Sequence, residues 1–148
     1  MSTTTRPGTP TAALVSRRVV VGAPPSVIFA LLAAPGEHAA LDGTGEVRGV
    51  VDGPQWLESG SVFRMRMKGY TTTNTVVEFE DGALIAWRHR GRHVWRWQLR
   101  AVPGGTEVTE TFDYTAKRAR RLVELAGFPR RAGTAIDRTL IALRARFA

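Results

Sequence analysis

Between residues 45 and 114 the chain alternates short β-prone runs with turn signals, and no gap is long enough to hold a crossover helix. The runs are 45–51, 61–68, 72–80, 84–90, 93–102 and 106–114. Between them stand DGP, ESG, KGY, EDG, GR and PGG, the residues that tight turns demand. Strands joined so closely are antiparallel neighbours, so this stretch predicts a meander of hairpins. An earlier strand is read at 15–21, VSRRVVV, from its β-branched residues.

Helical signals flank the meander. Pro24-Pro25 opens a segment whose Val27, Ile28, Leu31 and Leu32 form one stripe, and Pro35-Gly36 ends it. A short helical turn follows over Glu37 to Leu41. Near the C-terminus, Arg118 to Ala126 reads as helix and GFP (127–129) as its break, because glycine and proline disfavour helix interiors. A longer helix is expected from about Arg131, with Ala132, Ile136, Leu140, Leu143 and Phe147 on one face. The expected fold is α+β: one antiparallel sheet with a long helix laid across it.

Strand residues alternate between the two faces of a sheet. In 93–102 the set Trp95, Trp97, Leu99 and Ala101 must be the buried one, since the other holds Arg96 and Arg100, whose burial would carry a large desolvation cost. The same rule turns Phe63, Met65 and Met67 inward, then Thr73, Thr75, Val77 and Phe79, then Ile85 and Trp87, then Val108, Phe112 and Tyr114. It turns Asn74, Glu78 and Glu80 outward, with Arg64 and Arg66 facing those glutamates across the sheet.

The opposing helix offers small or medium residues, Ala132, Ala135, Ile136, Leu140 and Leu143. Large aromatics against these either interlock or leave a cavity. Glu110 and His89 fall on the inward phase. Glu110 is either an acid with a raised pKa in the cavity, a rim carboxylate paired with arginine, or the mark of a bulge. His89 is either a structural histidine or a proton-transfer group. Tyr70, after a hairpin glycine, is a candidate lid residue. His38 and Asp42, four apart, are candidates for the cavity mouth, although helix-surface pairing would explain the spacing as well.

The net charge of +8 is concentrated: residues 115–148 carry +7 and the rest of the chain +1. The aromatic strand therefore lies in the balanced part, and its aromatics and arginines occupy opposite faces, which disfavours nucleic acid as the partner. Arg118, Arg120, Arg121, Arg130 and Arg131 cluster around GFP, a solvated surface or a site that gates the cavity for an anionic group. The absence of cysteine excludes disulfides and thiolate metal sites, and His38, His89 and His93 lack metal-ligand spacing. No run is long and apolar enough to span a bilayer. The Thr- and Pro-rich residues 1–13 read as a disordered tail without the apolar core of a secretory signal, and 14–148 as one domain. A cytoplasmic location is the simplest expectation.

VGAPPSVIFALLAAPGEHAALDGTG (21–45), TNTVVEFEDGALIAWRHRGRHVWRWQL (73–99), GGTEVTETFDY (104–114) and LVELAGFPRR (122–131) together resemble the START-like SRPBCC superfamily in its polyketide cyclase/dehydrase branch. The resemblance covers about 15–147. It implies a helix-grip fold, a curved seven-stranded antiparallel sheet around a long C-terminal helix with two short helices after the first strand. It also implies a hydrophobic cavity for a polyketide- or lipid-like molecule, with no shared catalytic motif; no metal and no cofactor are expected.

On this reading the ligand-contacting candidates are Phe63, Met65, Met67, Phe79, Trp87, Trp95, Trp97, Phe112 and Tyr114 on the sheet, with Ile136 and Leu140 on the helix. His89, Glu110 and Tyr70 are the catalytic candidates, with Tyr114 a possible partner of a keto oxygen. His38, Asp42, Arg118, Arg121, Arg130 and Arg131 are the mouth or anion-binding candidates. The expected activity is ligand binding, with cyclisation or dehydration chemistry or a non-catalytic carrier role left open. The expected partners are the hydrophobic ligand and an acidic carrier protein, with the chain monomeric or homodimeric.

Overall fold

A computed structural model describes residues 13–148, so the expected N-terminal tail lies outside the described residues. Seven strands form one antiparallel sheet: β1 (Leu14–Val21), β2 (Val47–Asp52), β3 (Val62–Met67), β4 (Tyr70–Glu80), β5 (Leu84–His89), β6 (Val94–Val102) and β7 (Gly105–Asp113). Their order across the sheet is β1-β7-β6-β5-β4-β3-β2. Strands β2 to β7 are the expected meander. After β1 the chain crosses by α1 (Pro25–Leu32), a 3-10 turn (Pro35–Glu37) and α2 (His38–Leu41) to β2 at the opposite edge, and the meander returns so that β7 pairs with β1. At the C-terminus stand α3 (Arg120–Leu125) and the long α4 (Phe128–Arg146), which packs on β1 and β7.

The C-terminal helix starts three residues before its expected position. Gly127 takes a left-handed conformation (φ 79°) that ends the preceding turn, while Pro129 sits in the first turn of α4. Proline is tolerated there because first-turn N–H groups have no intrahelical acceptor to lose. Only the glycine of GFP is a break. Ala132, Ile136, Leu140 and Leu143 form the buried face of α4, and α1 contributes Ile28, Phe29 and Leu32 to the same core. Each such aliphatic side chain contributes about 1.5–3 kcal/mol on full burial.

Strand β4 departs from the expected alternation. Thr72, Asn74 and Val76 are buried, and Val77 is exposed. The pairing with β5 skips Val77: Val76 opposes Trp87 and Glu78 opposes Ala86. That one-residue bulge reverses the phase, so Phe79 still points inward as expected while Thr73, Thr75 and Val77 do not. The outer-face pairing differs as well. Arg64 bonds Asp52 (3.0 Å), and Glu78 is taken by Arg96. Arg96 was expected in water. It is 19% exposed instead, with bonds of 2.7 Å to Glu78 and 3.2 Å to Asp113.

The loop after α2 is fixed by a close approach. Gly43 N donates to Thr139 Oγ1 (3.1 Å), and a Cβ at Gly43 would fall 2.8 Å from the Thr139 nitrogen. Real side chains do not tolerate that contact, so glycine is required where this loop crosses α4.

Candidate functional site

Between the sheet and α4 lies a cavity of 920 Å³. The hairpin strands supply its apolar wall, because every second residue of β3, β5, β6 and β7 must face α4. Phe63, Met65, Met67, Trp87, Trp95, Trp97 and Phe112 all line it, as expected from the alternation. Four other candidates do not. Phe79 packs edge-on against Phe29 (5.6 Å) at the α1 end of the core. Tyr114 stacks on Phe112 and donates its hydroxyl hydrogen to Glu124 (3.2 Å). Ile136 and Leu140 are buried in the core, and α4 lines the cavity instead with Ala132, Thr134, Ala135, Arg138 and Thr139.

Among the described residues, three buried polar atoms in this wall have no hydrogen-bond partner: Trp97 Nε1, Glu110 Oε2 and His93 Nδ1. Such orphans are uncommon because each costs about 1–3 kcal/mol. Trp97 and Glu110 are directly opposed in the β6–β7 register. Glu110 is 6% exposed. Burial, with the nearby Asp42 carboxylate adding to it, raises its pKa well above the ordinary carboxylate value. Burial therefore favours its protonated form, which can donate a proton or a hydrogen bond. Among the described residues Glu110 makes no ion pair with an arginine, and it faces inward in regular register.

The β5–β6 turn carries the second polar group. Arg92 there has φ 70°, unusual for a non-glycine residue, and the turn brings His89 and His93 face to face at 4.5 Å and 13°. Gly91 N donates to His89 Nδ1 (3.1 Å), which fixes that nitrogen as an acceptor. Burial, then the charge of Lys117, lowers the His89 pKa. His93 is pushed down to about 3 by burial, by His89 and by Lys117. Both rings are neutral at pH 7. His93 also meets Phe112 at 5.2 Å and Trp95 at 6.3 Å.

His38 lies inside the cavity wall and not at a surface mouth. It stacks on Trp87 (4.9 Å, 22°), meets Phe63 edge-on, and donates Nε2–H to the Leu32 carbonyl (2.7 Å). Burial lowers its pKa. Asp42 does line the cavity, and its carboxylate accepts from Thr44 and from Val47 N. Tyr70 is the first residue of β4, 57% exposed at the rim. Arg130 and Arg131 line the rim, with Arg131 held over the Phe128 ring and bonded to the Ala126 carbonyl. Arg118 and Arg121 are exposed and outside the lining.

Several lining residues escaped sequence reasoning, among them His93 and Lys117. His93 has the same parity as Trp95 and lies within the expected 93–102 strand, but it is not counted among the inward residues. Lys117 carries no local pattern. The polar pair Thr72 and Asn74, joined by a 3.0 Å bond, was hidden by the bulge. Among the described residues no group of three His, Cys, Asp or Glu side chains could hold a metal, and no helix is long and apolar enough to cross a membrane.

The family model described as polyketide cyclase / dehydrase and lipid transport matches residues 12–148. The uncharacterized protein Rv0088 of Mycobacterium tuberculosis is 38% identical over 143 residues, covering 90% of this chain and 64% of that protein. The chain thus spans less than two thirds of that relative's length. Among solved structures, the Aha1 dimer of Colwellia psychrerythraea aligns with a TM-score of 0.69 at 17% identity, covering 91% of this chain and 96% of that one. A Polyketide_cyc-like protein of Corynebacterium glutamicum gives 0.63 at 20% identity, covering 92% and 91%. The di-domain ARO/CYC StfQ of the steffimycin biosynthetic pathway gives 0.70 at 13% identity, covering 93% of this chain and 50% of that one. These likenesses show the fold.

Proposed function

The chain belongs to the polyketide cyclase / dehydrase and lipid transport family, and from that premise we propose that it binds a small hydrophobic molecule of polyketide-like or lipid-like character between the sheet and α4. The observation that carries this reading is the 920 Å³ cavity, walled by aromatic and methionine side chains and set with three unpartnered buried polar atoms. Apolar walls with a few convergent polar groups are what ligand sites require: the walls supply affinity, and the polar groups fix orientation. A protein evolved only to pack would fill such a volume.

A second reading, catalysis of cyclisation or dehydration in the same cavity, is favoured by one observation. Glu110 is a buried carboxyl among aromatics, and its upward-shifted pKa favours the protonated form that a general acid needs. A carrier needs no such group. Arg118 and Arg121, exposed and within four residues of Lys117 in sequence, have the sign to meet an acidic carrier protein that delivers the molecule.

The test is native mass spectrometry of the freshly purified protein, followed by organic extraction, with Trp95→Ala as the control. A co-purifying apolar molecule that is lost in the variant supports binding and identifies its class. A protein that carries no molecule, and whose tryptophan fluorescence ignores a panel of polyketide-like and lipid probes, overturns it. With a ligand in hand, Glu110→Gln separates the two roles: turnover lost with binding kept marks a catalyst, and absence of turnover in the parent protein marks a carrier.

A further inference from the structure

We propose that the cavity is polarised along β6 and takes an apolar keto acid, its ketone oxygen held by Trp97 and Glu110 and its carboxylate held by Lys117. This rests on the binding reading above and specifies the ligand's two ends.

The inward residues of β6 and of the turn before it form three rungs. His93 lies at the rim, Trp95 in the middle and Trp97 deep, with Phe112 opposite Trp95 and Glu110 opposite Trp97. At about 3.4 Å per residue the first and last rungs are about 14 Å apart.

The deep rung offers hydrogen bonds and rejects negative charge. An indole N–H can only donate, and a protonated carboxyl has one O–H to give. Directly opposed strand residues have β-carbons about 5 Å apart, close enough for both donors to meet on one oxygen. Both side chains are buried, and each leaves a polar atom unpartnered. A carboxylate placed here would lose its hydration and face Asp42, whose carboxylate already acts on Glu110. A ketone loses little on desolvation and gains both donors.

The rim has the opposite character. A Cβ on Gly91 would meet Lys117 Nζ at 3.1 Å and the Nδ1 atoms of His89 and His93 at 3.5 Å each. The ammonium group therefore lies beside two neutral imidazoles. Among the described residues Lys117 makes no ion pair. Arg130 reaches the same cavity from α4 and likewise makes none. A carboxylate arriving here meets cations without displacing a partner. Between the rungs, Trp95, Trp87 and Phe112 suit a hydrocarbon body.

The test is calorimetric titration with three probes of equal chain length: a saturated fatty acid, the same acid bearing a ketone at its far end, and the methyl ester of that keto acid. The keto acid is expected to bind tightest. Removing the ketone, or esterifying the carboxylate, each weakens binding about tenfold. Lys117→Gln abolishes the advantage of acid over ester and leaves the ketone's advantage intact. Trp97→Phe does the reverse, and should that variant fail to fold, Glu110→Leu reads the same end. Equal affinity for all three probes overturns the polarised cavity while the binding reading stands. Failure of every probe to bind overturns both.

Discussion

Trp97 and Glu110 face each other across the β6–β7 ladder, and neither the indole N–H nor the carboxyl Oε2 has a hydrogen-bond partner among the described residues. The pair makes the folded state prefer a proton. Glu110's pKa is raised on folding from an ordinary value of 4.5, so above that pH the unfolded chain binds fewer protons than the native one. Stability contributed by the neutral acid is full below pH 4.5 and declines as pH rises above it. Glu110→Gln removes the titration. Thermal melts of the two proteins are expected to converge in acid and to separate at neutral pH, with the variant the more stable.

His93 pushes in the other direction. Its pKa falls from 6.5 to about 3 on folding, with His89 and Lys117 facing it and Phe112 and Trp95 burying it. The unfolded chain takes up a proton first as pH drops. Stability from the neutral ring is complete above pH 6.5 and is lost progressively toward pH 3. His93→Phe keeps a ring against His89 and Phe112 but cannot titrate. Denaturant midpoints from pH 7 to pH 4 are expected to fall less steeply for this variant than for the parent.

On the outer face, Arg96 holds Glu78 with two bonds of 2.9 and 2.7 Å and reaches Asp113 at 3.2 Å. Removing it leaves two carboxylates without their cation. Arg96→Ala is expected to cost about 2 kcal/mol in urea unfolding. Arg96→Lys recovers only part of this, because an ammonium cannot form the planar fork. Arg64→Ala, which breaks an exposed pair with Asp52, is expected to cost well under 1 kcal/mol.

Gly43 offers a purely steric test. Its Cβ position runs into the α4 backbone at Arg138 and Thr139. Gly43→Ala must move the loop that carries Asp42, at a cost of about 2 kcal/mol. Gly36→Ala, with no atom within 4 Å of the added carbon, is expected to leave the melting temperature nearly unchanged.

The strands were legible because alternation and turn residues reinforce each other from 61 to 114, and Trp95, Trp97 and Phe112 could be placed on the inner face by parity alone. Parity failed where one residue was inserted. The bulge at Val77 has no sequence mark of its own, since TTTNTVVEFE contains neither glycine nor proline. Phe79, Ile136 and Leu140 show a different gap. Parity identifies the inner face but not how far along it the cavity runs, and that depends on where α1 and α4 close over the sheet. Lys117 reaches the rim only through tertiary folding, from a segment whose arginines dominate the local pattern.

The pairing of β1 with β7 also sets the timing of folding. Leu14 opposes Asp113 and Val21 opposes Thr106, whereas β2 to β7 pair with immediate neighbours. Contacts between distant residues form slowly, because loop entropy is lost before contact energy is gained. During synthesis the first strand leaves the ribosome early and must wait, apolar side chains unshielded, until the last hairpin emerges. The cavity can close only after that join, so until then the nascent chain exposes the aromatics that later form its walls, and it is in this interval that chaperone capture or aggregation competes with folding.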